Sequence, residues 1–254
     1  MLASTVFKQT KGNGFAYNKA LKTTPFGRSD AFTRGGFAIM PHATAPLSLM
    51  LESTGMIEEA FKTFGKHSFQ HAIFYSNQDC LRFELSEGAE FDSRISMFQT
   101  ALTRTTDVLN TVFEKSDKVS ICFAFAGDSF IENLSQFKKI KSLGFIIPKK
   151  RYVHSEWDEE EEWHRNYIFF TIDKSELHKL LFGCLANELG ISPSFWFSMY
   201  VFDVKLGVLA HPYDDRGMDL VGPNKFILRR IYKHYNSWLL NYDLPVMRQW
   251  FGAL

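Results

Sequence analysis

Three cysteines in 254 residues cannot build a disulfide framework. Cys80, Cys122 and Cys184 are far apart, form no Cys-x-x-Cys pair and each has apolar neighbours. They read as small buried hydrophobes, and their odd count fits a reducing cytoplasm. Long apolar runs are also missing. The longest, such as Phe195–Phe202, fall far short of the roughly 20 residues that cross a bilayer, so no membrane partner is expected. Lys8, Lys11, Lys19 and Lys22 are followed by no continuous apolar stretch, so no secretory signal is read there. Several catalytic signatures are absent from the sequence: Gly-x-Gly-x-x-Gly, the Walker loop, His-Glu-x-x-His and Gly-x-Ser-x-Gly. The common nucleotide, zinc-protease and serine-hydrolase chemistries gain no support, and no cofactor is expected.

What the chain does have is phenylalanine, 26 residues of it, enough for a well-filled core. Disorder of the whole chain is excluded on that ground. Charge is unevenly spread. Residues 1–50 hold Lys8, Lys11, Lys19, Lys22, Arg28 and Arg34 against Asp30 alone, so the rest of the chain carries a formal −4 beneath the net +1. A mildly acidic body is no nucleic-acid binder, which would present a basic face.

Residues 1–55 read as a basic, Gly/Pro-containing extension without periodicity, either a flexible arm or a targeting or nucleic-acid-binding one. Residues 56–254 read as one α+β domain. Within it, Met56–Phe64 has helical spacing, while Ala72–Tyr75 and Cys80–Leu85 read as strands joined by Ser76–Asp79. Phe91–Glu114 predicts a long helix with Ile95, Phe98, Leu102, Val108, Leu109, Val112 and Phe113 on its buried stripe. Val119–Ala126 predicts a central strand, Ile131–Leu143 a helix, and Phe145–Ile147 and Asn166–Ile172 further strands. Asp173 and Glu176 form an Asp-x-x-Glu capping pattern ahead of a helix that Gly190 ends. Trp196–Val204 and Leu206–His211 predict two strands, and a second hairpin reaches Val221. Phe226–Leu240 predicts the last helix, with Phe226, Ile227, Ile231, Tyr235, Trp238 and Leu239 on one face. Hairpins without strict βα alternation imply a mostly antiparallel sheet packed by several helices.

Two constellations are candidates for function. In the first, Asp158, Glu159, Glu160, Glu161 and Glu162 form an unbroken acidic run bracketed by Trp157 and Trp163. Five adjacent carboxylates repel one another, which predicts an exposed loop over 152–166. The run reads as a solvated connection, a cation site, or a contact surface for a basic partner anchored by the tryptophans. The second is His211-Pro212-Tyr213-Asp214-Asp215-Arg216-Gly217-Met218-Asp219. It reads as hairpin chemistry, with Gly217 supplying a positive φ and Arg216 paired to a neighbouring carboxylate. Its alternative uses Asp214, Asp215 and Asp219, with His211, as ligands for a hard divalent cation. Strand alternation works against convergence of those carboxylates.

The second stretch, continued by Tyr232–Asp243 and preceded by Pro193-Ser194-Phe195 and Leu81-Arg82-Phe83-Glu84-Leu85, resembles the bacterial family called domain of unknown function 3885. The resemblance spans about 56–243. It implies a bacterial origin and the domain boundaries, and it brings no activity or catalytic residue with it. Two functions from different classes therefore stand as expectations. One is a cytoplasmic immunity protein, whose acidic loop is steered to a basic partner such as a toxin nuclease domain. The other is a metal-dependent hydrolase built on Asp214, Asp215 and Asp219.

Overall fold

The most apolar run of the sequence becomes an interior strand. The computed structural model describes residues 47–70, 73–87, 93–127, 133–159 and 161–252. In it β2 (Lys118–Ala126) pairs with β4 (Trp163–Asp173) on one side and β5 (Ser198–Asp203) on the other. Beyond β5 come β6 (Val208–Asp214), β7 (Gly217–Val221) and β1 (Leu81–Glu84); beyond β4 comes β3 (Tyr152–Asp158). The order is β1-β7-β6-β5-β2-β4-β3, and every pairing is antiparallel, as expected of the α+β class. Among the described residues seven α-helices accompany the sheet: α1 (Leu47–Phe64), α2 (Ile73–Ser76), α3 (Arg94–Val112), α4 (Leu134–Ser142), α5 (Leu177–Leu185), α6 (Lys225–His234) and α7 (Leu244–Phe251).

Strand alternation divides the aromatic residues between two cores. On one face Tyr167, Phe169, Tyr200 and Phe202 meet Phe61 and Phe64 of α1 and Phe69 of the following 3-10 turn, with ring centroids 5.4–6.1 Å apart. On the other, Phe123 packs on Phe170 and Phe195, and Phe125 on Phe137 of α4. Gly183 of α5 lies close against Phe195, and Phe182 of α5 meets Phe98 of α3 at 4.9 Å. Burying each such ring stabilises by roughly 1.5–3 kcal/mol, which is why so many phenylalanines are interior. The two buried tyrosines keep their hydroxyls bonded, Tyr167 to Glu156 at 3.2 Å and Tyr200 to the Gln70 carbonyl at 2.9 Å.

The two sheet edges differ. At β1, Phe83 bridges to Leu239 and the Leu240 N–H donates to the Arg82 carbonyl at 2.9 Å, so a returning segment lies on that edge. At β3, no further strand follows among the described residues.

Local readings failed where a short apolar run was ambiguous. Ala72–Tyr75 was expected as a strand, but Ile73–Ser76 is a helical turn whose Phe74 N–H is taken up by Asp219. Phe145–Ile147 is irregular: Phe145 packs on Phe170 while Ile146 is exposed, and β4, the strand it lies against, is already paired on both sides. Asp173 makes no capping bond. It is paired in register with Lys118, Glu176 bonds Lys179 at 2.7 Å, and the α-helix begins only at Leu177. Ile95 and Phe226, placed on buried stripes, are exposed: Phe226 lies on the side of α6 away from Ile227, Leu228 and Ile231, and Ile95 at the margin of the α3 stripe set by Phe98, Ala101 and Val108. The last predicted helix stops at His234, and α7 was not anticipated. The helix expected from Met56 starts at Leu47. The rest of the extension over 1–55, together with Phe91 and Ile131, lies outside the described residues.

All three thiols are buried. Burial pushes Cys80 and Cys184 up to about 12 and holds Cys122 well above its ordinary value. A nucleophilic role needs a thiolate. The folded chain should therefore take up no iodoacetamide in mildly alkaline buffer, and three equivalents after unfolding in urea, read by intact mass.

Candidate functional site

The His211–Asp219 motif is the β6–β7 hairpin, and register explains its composition. Arg82 of β1 lies opposite Asp219 of β7, which lies opposite His211 of β6, so three adjacent strands place these side chains in one row on the α1 face. Arg82 bonds Asp219 through two parallel contacts, Nε to Oδ1 at 2.7 Å and Nη2 to Oδ2 at 2.8 Å. Asp219 is fully buried and also accepts the Phe74 N–H at 3.2 Å. Asp243, ahead of α7, approaches Arg82 Nη1 at 3.5 Å. The guanidinium lies over the Phe74 and Tyr75 rings, 4.7 and 4.5 Å from their centroids. Burial alone would lower the Arg82 pKa, but the bonds and charge of Asp219 outweigh it and raise the pKa above the ordinary arginine value. Burial raises the Asp243 carboxyl, with Arg82 acting in the opposite direction.

His211 stacks on Tyr200, centroids 4.3 Å apart, and its Nδ1 is 3.0 Å from the Met199 carbonyl. Asp214 receives the Arg216 backbone N–H at 2.8 Å and Nε at 2.9 Å, closing the turn as the hairpin reading expected. Asp215 is buried, and burial followed by the nearby Asp214 charge raises its pKa. The hydrolase reading needed Asp214, Asp215 and Asp219 to converge. Asp219 is committed to Arg82 and Asp214 to Arg216, and no metal-sized group of three His, Cys, Asp or Glu occurs among the described residues. Above the row opens a 410 Å³ cleft lined by Tyr75, Arg82, Trp196, His211, Tyr213 and Arg216 among others.

Gly217 corrects one expectation: it is not among the positive-φ glycines. Its constraint is a close approach. A Cβ there would fall inside the Tyr213 hydroxyl and 3.0 Å from the Phe83 carbonyl.

The acidic run is likewise not a loop throughout. Tyr152–Asp158 is β3, a strand that sequence reasoning missed, and Glu159, Glu161 and Glu162 lie in the turn to β4. The Glu162 N–H donates to the Asp158 carbonyl at 2.9 Å, and Glu162 has a φ of 57°. Asp158 bonds Arg165 Nη2 at 2.6 Å, so its charge is locally balanced. Glu159, Glu161 and Glu162 are exposed; Glu160 lies outside the described residues. The bracketing tryptophans do not share a platform. Trp157 opposes His164 and Trp163 opposes Asp158, which sends the two indoles to opposite faces of the hairpin. Both are about half exposed. Trp163 stands with Arg165 over a 140 Å³ hollow on the α1 face, lined also by Phe69, Gln70, Ser198 and Tyr200.

The residues that reasoning from sequence left out are Arg82, Asp243 and Arg165. Arg82 carried a signal: a charge in the middle of Leu81-Arg82-Phe83, in a strand whose other side chains are apolar or half-buried. A fully antiparallel seven-stranded sheet with helices on both faces and an ion-paired arginine inside its terminal hairpin defines an α+β domain braced from within. Residues 56–243 match the model of the domain of unknown function (DUF3885), and the chain belongs to that family. No curated protein and no solved structure gives a significant match. Among the described residues no helix is long and apolar enough to cross a membrane.

Removing one partner of a buried ion pair leaves an uncompensated charge, at a cost of about 3–5 kcal/mol. Asp219→Ala should lower the unfolding free energy by that amount in urea titrations. Gly217→Ala should cost more than about 1 kcal/mol by overpacking, and that cost should shrink in a Tyr213→Ala background, where the clash is removed.

Proposed function

We propose that the chain is a bacterial cytoplasmic binding protein of the immunity type, which neutralises a toxin by capping a basic surface such as the active site of a nuclease domain. The observation that carries this reading is the β3–β4 tip, where Glu159, Glu161 and Glu162 stand exposed at the end of a hairpin beside the half-exposed Trp163. An acidic projection speeds encounter with a phosphate-binding surface, and an adjacent indole supplies the desolvated anchor that sets residence time. The hollow under Trp163 and Arg165 gives the partner a concave surface next to that anchor. The hydrolase alternative has less to draw on, because two of its three carboxylates are held by arginines.

The partner is captured on the immobilised chain at low salt, and binding kinetics are then measured at two salt concentrations. Glu159→Gln, Glu161→Gln and Glu162→Gln together should slow association and flatten its salt dependence with the melting temperature unchanged. Trp163→Ala should speed dissociation about tenfold or more, whereas Trp157→Ala, on the other face, should leave it alone. Co-expression of the wild-type chain should rescue cells from the captured partner's toxicity. Association at the wild-type rate in the triple variant at both salts would return the tip to a solvated turn.

A further inference from the structure

β3 is an edge strand with a self-complementary sequence. Among the described residues it pairs only with β4, and from Arg151 to Glu159 the odd-numbered residues are exposed while the even-numbered ones turn towards α1. Two of the exposed side chains are large and apolar, Val153 at 49% and Trp157 at 51% of full exposure. Natural edges are normally shielded by proline, bulges or charge at their centre. Here, on the exposed side, the charges are at the ends, Arg151 before the strand and Glu159 after it, with Val153, Ser155 and Trp157 between them, while Glu156 turns inward and is held by Lys66.

We propose that this edge binds a second copy of the chain, β3 to β3 antiparallel about a dyad at Ser155, joining two seven-stranded sheets into one. The pairing follows from the sequence Arg151-Tyr152-Val153-His154-Ser155-Glu156-Trp157-Asp158-Glu159. With the dyad at Ser155, Arg151 of one copy faces Glu159 of the other, Val153 faces Trp157, and His154 faces Glu156. Opposite charges and aromatic–β-branched neighbours are the favourable cross-strand pairs, each contributing twice. Moving the dyad to Glu156 sets two carboxylates against each other and Val153 against Glu159. Moving it to His154 sets Arg151 against Trp157. Of these the Ser155 register alone joins Arg151 to Glu159 and Val153 to Trp157, with Tyr152 opposite Asp158, and a dyad between residues would reverse the faces.

A second feature on the same face agrees. Phe137, Ile147, Arg151, Val153 and Ile168 line a largely apolar groove of 440 Å³ beside β3, with Ile146 exposed nearby. Pairing at Ser155 places Trp157 of the second copy against Val153, on the margin of that groove. The interface uses Trp157 and the outer side of β3, leaving Trp163, Glu161 and Glu162 on the opposite face and at the tip. Glu159 alone is common to this interface and the toxin-binding reading, and the Ser155→Cys cross-link tests the interface without it.

The test uses the full chain. Sedimentation equilibrium should show the mass rising from the 29.3 kDa of one chain to twice that value with concentration. Ser155 meets its own symmetry mate, and opposed Cα atoms in antiparallel strands are about 4.5–5.5 Å apart, within disulfide reach. Ser155→Cys should therefore give a covalent dimer under mild oxidation, and Val153→Cys, which faces Trp157, should not; the native thiols are buried and do not compete. Arg151→Glu or Glu159→Arg alone should weaken dimerisation at least fivefold, and the two together should restore it. A single-chain mass at every concentration, equal cross-linking by the two cysteine variants, or failure of the charge swap to restore pairing would each overturn the proposal.

Discussion

The bidentate bond between Arg82 and Asp219 organises the whole β1 side of the molecule. β1 is only four residues long, and a strand that short contributes little pairing energy of its own. The arginine ties it to β7, to the loop before α7 through Asp243, and to α2 through the aromatic rings under the guanidinium. Asp219 completes the join by holding the Phe74 N–H. Such a pair gives up hydration on both ions, so its net gain over a well-packed apolar pair is small. What it adds is uniqueness of register. A one-residue slip of β1 would turn Arg82 into the apolar core between the sheet and α3 and leave Asp219 buried without a cation.

That reading changes what the motif means. Stretches rich in His, Asp and Arg invite a catalytic interpretation, and in sequence the three aspartates look like a ligand set. In the fold each has a different task. Asp219 holds a neighbouring strand, Asp214 closes the turn through Arg216, and Asp215 is buried beside it. The polar residues of this hairpin hold its geometry.

The class of fold was legible because long signals were strong: the nine-residue β2, the amphipathic α3 and the β6–β7 hairpin all appear near their expected places. Short signals failed for identifiable reasons. Three apolar residues at Ile73–Tyr75 suit either a strand or a helical turn, and the bond from the Phe74 N–H to Asp219 holds the turn. β3 was hidden because Glu156 and Asp158 looked like solvated charge, whereas Lys66 pairs with Glu156 and Arg165 with Asp158. Of the candidate site, the ion pair within Asp214–Arg216 could be read locally. The partner of Asp219 could not, since Arg82 is 137 residues away and only the sheet brings them together.

The returning segment at Leu239 and Leu240 has a consequence for assembly at large. A sheet open at both edges adds strands without limit, which is the geometry of fibres. Here one edge already has a backbone partner from its own chain. Any pairing at the other edge is therefore terminal: two molecules joined there present only closed margins to a third. The short bridge beside β1 acts as a stop on growth, so that a pair formed through β3 would be a finite, symmetric object.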